Sequence, residues 1–143
     1  MKFLFLLIIG GATSLAIIRL LKTSMMDRVW AYPLLLASFP VFYMLFALWI
    51  NDKSAMKTEF QVGLIFFILI AVYLRYRAVW SEYLLAAGFL AHGLYDITHD
   101  LFFLNRGVPI WWPEFCGTID LFIGLFLIYQ IRTGKSKYIE KKV

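Results

Sequence analysis

The chain has 143 residues, 62% of them hydrophobic and 19% aromatic, with a mean hydropathy of +0.78. A water-soluble domain is nearer half apolar, and one this short lacks the interior to hide the excess, so a bilayer is the solvent that suits this composition. The formal charge of +5 does not argue for nucleic acid, because the basic residues lie between apolar runs and in a C-terminal tail, the pattern of membrane topology and anionic lipid contact.

Five apolar stretches predict an all-α, polytopic bundle of about five transmembrane helices over residues 2–21, 29–50, 60–74, 78–103 and 110–131, forming one domain with a basic tail at 132–143. The first imitates a signal peptide, with Lys2, the run Phe3 to Ile9 and small residues from Ala12 to Ala16. Its apolar character continues through Ile18, so a retained span is expected, with cleavage the alternative. In the second, Pro33 and Pro40 each remove a backbone donor, which predicts a kinked helix packed inside the bundle. The third is short and follows a polar segment, Asn51–Glu59. The runs are too long and continuous for the roughly 10-residue alternation of barrel strands. Trp30, Trp49, Trp80, Trp111 and Trp112 fall near span ends and read as interface anchors.

An odd number of spans puts the termini on opposite sides. Arg19, Lys22, Arg28, Arg75, Arg77, Arg132, Lys135, Lys137, Lys141 and Lys142 collect on one side, against Lys2, Lys53, Lys57 and Arg106 on the other. The positive-inside rule then predicts a cytoplasmic C-terminus and an external N-terminus. The expected partner is the lipid bilayer, with anionic lipids at the basic tail and no nucleic acid.

The fourth stretch carries the chemistry. In the run from Ala91 to Asp100, Asp96 lies about 40° round a helix from His92, with His99 about 20° to the other side and Asp100 about 80° away. These four share a face, and the i, i+4 and i, i+3 spacings let neighbours touch. In a membrane span such a stripe is costly, because each unpaired ionised group in hydrocarbon costs several kcal/mol. The fifth stretch offers partners in Cys116 and Asp120. Measured from the short loop Asn105–Pro109, His92 and Asp120 each lie roughly 15 Å deep. Gly117 and Gly124 on the Asp120 side permit close helix approach. The single cysteine excludes an intrachain disulfide or a multi-cysteine metal site.

Three readings remain open. In a metal reading, His92, His99, Asp96 and Asp120 supply ligands for zinc or iron. Asp96, Asp100 and Asp120 then supply the carboxylates that act as base or orient a ligand. This suits a metal-dependent hydrolase acting on a lipid-like substrate. In a second reading the same groups handle protons or a small ligand. In a third, His–Asp bonds hold helices four and five together in a non-enzymatic membrane component.

The run Ala91-His92-x3-Asp96-x2-His99, followed by Pro109, Cys116 and Asp120, resembles a group of small bacterial integral membrane proteins classed as a domain of unknown function. They carry a similar His, Trp/Tyr-Asp, His motif and a later Cys-x3-Asp. The likeness covers the last two spans, about 40 residues. It implies a bacterial inner-membrane protein and supplies no reaction. A looser likeness is to membrane metal-hydrolases of the ceramidase-like superfamily, which hold zinc with histidines and an aspartate inside a helical bundle. This chain has fewer spans and only two histidines.

Overall fold

The computed structural model describes residues 2–23 and 28–135. It contains five helices and, among the described residues, no strand: α1 (Lys2–Thr23), α2 (Arg28–Trp49), α3 (Lys53–Tyr76), α4 (Val79–Phe102) and α5 (Trp112–Arg132). Of the expected basic tail, Lys137, Lys141 and Lys142 lie outside the described residues, as do residues 24–27.

Packing contacts fix the directions of the helices. Gly93 faces Gly117 and Gly124 faces Leu90, so α4 and α5 run antiparallel. Gly63 of α3 faces Pro40 of α2, and Gly88 of α4 faces both Leu36 of α2 and Leu69 of α3. Gly10 of α1 faces Thr118 of α5, and Gly11 faces Phe122, which sets those two helices parallel. The bundle therefore alternates up and down along the chain. At its centre, buried Leu36, Phe39, Phe66, Phe89, Ile119 and Ile123 belong to one cluster.

Four helices, α1, α2, α3 and α5, are long and apolar enough to cross a membrane. The fourth is interrupted by the polar residues His92, Asp96, His99 and Asp100 but has 24 residues, about 36 Å at the helical rise against a hydrocarbon core of about 30 Å. Its Phe89 and His92 pack on Phe39 and Phe66, midway along two of the apolar helices, so α4 runs through the same slab. Leu4, Ile8, Leu34, Leu45, Ile65, Leu94 and Leu125 stand exposed around the bundle. In water that apolar surface would drive aggregation, whereas in lipid it is the natural exterior.

The third helix begins at Lys53 rather than residue 60. Asp52 caps it, its carboxylate accepting from the backbone N–H of Ser54 at 3.0 Å and Ala55 at 2.9 Å. The polar segment is thus the first two turns of α3, and its buried face runs Ala55, Glu59, Gly63, Phe66, Ile70, Tyr73. Pro33 and Pro40 sit inside the continuous helix α2, both buried, which keeps the segment within the bundle as expected. Trp49 and Trp111 are exposed near span ends. Trp112 instead packs against Phe42 and Phe46, with centroid separations of 5.3 and 5.0 Å.

Candidate metal centre

The closest approach of α4 and α5 sets the site. A Cβ on Gly93 would stand 3.0 Å from the Gly117 carbonyl oxygen and 3.1 Å from Asp120 Cβ. A Cβ on Gly117 would stand 3.1 Å from the Gly93 oxygen and 3.2 Å from Asp96 Cβ. Only the missing side chains allow the backbones so near, and His92, Asp96 and Asp120 flank this contact.

His92 Nδ1 lies 2.8 Å from Asp120 Oδ2 and 3.5 Å from Asp96 Oδ2. The three residues each offer one ligand atom, and these atoms lie within 4.8 Å of one another. In a tetrahedral zinc site with ligands at about 2.0–2.2 Å, ligand atoms stand about 3.3–3.6 Å apart. The 3.5 Å separation lies within that range, whereas the 2.8 Å one falls short of it, so Asp120 must draw back from His92 by about 0.5–0.8 Å to share an ion with it. All three residues are at most 1% exposed. His92 Nε2, Asp96 Oδ2 and Asp120 Oδ1 are buried without a hydrogen-bond partner among the described residues, which is costly in a dry interior.

Charge argues in the same direction. Two carboxylates and a neutral imidazole leave two negative charges in a low-dielectric interior, which a divalent cation cancels. The same neutrality follows if the imidazole and one carboxyl each hold a proton. Cys116, 1% exposed, lies one helical turn before Asp120 but is not in the ligand group.

His99, expected beside His92, is committed elsewhere. Its Nε2 meets Glu59 Oε1 at 3.0 Å and its Nδ1 meets Asp100 Oδ1 at 3.1 Å. Glu59 gathers two further donors: Asn105 Nδ2 bonds Oε1 at 2.8 Å and the Tyr95 hydroxyl bonds Oε2 at 2.9 Å. His99, Glu59 and Asn105 are buried, and their polar atoms are partnered. Asp100, expected as an orienting carboxylate of the centre, has a side chain 75% exposed and touches only the outer nitrogen of His99 among the contacts seen.

Thus one expected group forms two clusters, His92/Asp96/Asp120 and Glu59/His99/Asn105. Tyr43 stands between them. Its hydroxyl donates to Asp96 Oδ1 at 2.8 Å and its ring stacks on His99 at 4.8 Å. The sequence reading missed Tyr43, Glu59, Tyr95 and Asn105. Glu59 was legible in principle, because Ala55, Glu59, Gly63 and Phe66 follow helical spacing from the Asp52 cap. Tyr43 likewise continues the buried stripe Leu36, Phe39 and Tyr43. Asn105 carries no such signal, since its place depends on how the 103–111 connection folds back.

Comparisons of the chain with protein-family models, curated proteins and solved structures return no match, so the reading of this site rests on its own geometry.

Proposed function

We propose that the protein is a membrane metalloprotein whose working centre is the buried set His92, Asp96 and Asp120, binding one divalent ion such as zinc or iron. The observation that carries this reading is that buried His92, Asp96 and Asp120 each bring one ligand atom within 4.8 Å of the others, with Asp96 Oδ2 lacking a hydrogen-bond partner among the described residues. Three protein ligands leave a fourth position for water, the arrangement of hydrolytic rather than structural zinc. A centre inside a bilayer meets lipid-like molecules first, so the reaction class this reading favours is hydrolysis of a lipid-like substrate. The likeness to small bacterial membrane proteins supports an inner-membrane location. The excess of basic residues beside Arg19, Arg75 and Arg132 supports a cytoplasmic C-terminus.

Metal analysis of detergent-purified protein tests the proposal. Wild type is expected to hold one zinc or iron per chain, His92→Ala none, and His99→Ala the wild-type amount. Metal-free wild type that takes up no added zinc sinks it.

A second reading is favoured by the 2.8 Å His92–Asp120 contact. Here the pair bridges α4 and α5 in a non-enzymatic component, with protons in place of metal. His92→Ala then lowers stability with no change in metal content.

A further inference from the structure

The two oxygens of Asp96 are in unlike situations. Oδ2 faces His92 Nδ1 at 3.5 Å and lacks a hydrogen-bond partner. Oδ1 accepts the Tyr43 hydroxyl at 2.8 Å. Tyr43 is itself fixed from three sides. Its ring stacks on His99 with an interplanar angle of 28°, Tyr95 closes edge-on at 5.9 Å, and Asn105 Nδ2 donates to its backbone carbonyl at 3.2 Å. It is 0% exposed. Phenylalanine would fill the same space, so packing alone does not call for the hydroxyl.

Building on the metal reading above, we infer that Tyr43 is a positioning residue that restricts Asp96 to one coordinating oxygen and so sets which ions the centre accepts. A carboxylate with a strong donor on one oxygen keeps that oxygen from the ion. The centre then offers few ligands, which suits four-coordinate zinc or cobalt. Calcium and manganese favour more oxygens, often from carboxylates binding through both. The Glu59/His99/Asn105 cluster acquires a role on this account. It holds Tyr43 in place, so the second cluster supports the first without touching the ion.

Tyr43→Phe removes the hydroxyl and little else. Metal-free wild type and variant are first checked for helicity by circular dichroism, then titrated with cobalt, and zinc is competed against manganese. Wild type is expected to show the intense visible bands of four-coordinate cobalt. Tyr43→Phe is expected to show the weaker bands of higher coordination and a zinc-over-manganese preference lowered by about 10–100-fold, the usual effect of losing a partner behind a ligand. Unchanged bands and preference, with only a lower melting temperature, overturn the positioning role. If Tyr43→Phe does not fold, Tyr43→Met is read in the same way, and failure of both to fold assigns Tyr43 to stability alone and also overturns it. Wild type that binds neither cobalt nor zinc overturns the centre itself, a different failure from a bound ion indifferent to Tyr43.

Discussion

His92 and Asp120 meet at 2.8 Å across the line where Gly93 of α4 and Gly117 of α5 leave the two backbones in contact. The glycines are not interchangeable with alanine there, because the atoms a new Cβ would meet include backbone oxygens that cannot swing aside. Gly93→Ala is expected to push α4 from α5 and destabilise the protein by about 1–3 kcal/mol, measured by denaturant or SDS unfolding in mixed micelles. It should also weaken metal binding, since the ligands straddle the same contact. Unchanged stability and metal content would show that the helices can part without disturbing the centre.

The Glu59 cluster predicts a different separation of effects. Glu59→Ala strands His99, Asn105 and Tyr95 without their shared acceptor. Removing one partner of a buried pair costs about 3–5 kcal/mol, so a large loss of thermal stability is expected. Glu59→Gln keeps a carbonyl acceptor and should lose less. Where Glu59→Gln folds, it is expected to retain the full metal content of wild type, because Glu59 supplies no ligand. Metal loss in that variant would place Glu59 in the centre.

Asp100 provides the contrast. With its side chain 75% exposed, Asp100→Asn is expected to change stability by less than about 0.5 kcal/mol and to leave metal content unchanged. A metal-depleted Asp100→Asn protein would restore the catalytic role that its place in the sequence stripe suggests.

Helical periodicity found the right stripe but could not divide it. His92, Asp96 and His99 do share the buried side of α4, with Asp100 turned out at its edge, and the matched depths of His92 and Asp120 are realised as a direct contact. The spacing within one helix says nothing about which neighbour each residue meets. His92 and Asp96 face α5 through the glycine contact, whereas His99, a turn nearer the loop, faces α3 and finds Glu59. That carboxylate was hidden because hydropathy places a helix boundary wherever charge begins, while the chain continues as helix from the Asp52 cap. The bundle itself was legible because its apolar runs are long and continuous. Tyr43 and Asn105 were not, because a hydroxyl or an amide in an otherwise ordinary segment acquires meaning only from what packs against it.

Asp120 separates a ligand from a helix bridge. Asp120→Asn keeps size and a carbonyl oxygen that can still accept from His92, so the α4–α5 contact survives with a stability loss of about 1 kcal/mol. A metal centre loses a charged ligand by the same change and is expected to bind zinc at least about 100-fold more weakly. Equilibrium competition with a chromophoric chelator reads the affinity directly. Equal zinc affinity in the two proteins would remove Asp120 from the ligand set.

The most direct measurement is X-ray absorption at the metal edge of zinc- or iron-loaded wild type. It resolves the atoms around the ion without reference to activity. The account predicts one imidazole nitrogen and carboxylate or water oxygens at about 2.0–2.2 Å, with the imidazole signature lost in His92→Ala and retained in His99→Ala. A shell dominated by sulfur at about 2.3 Å, two imidazoles, or an imidazole signal that survives His92→Ala would contradict it.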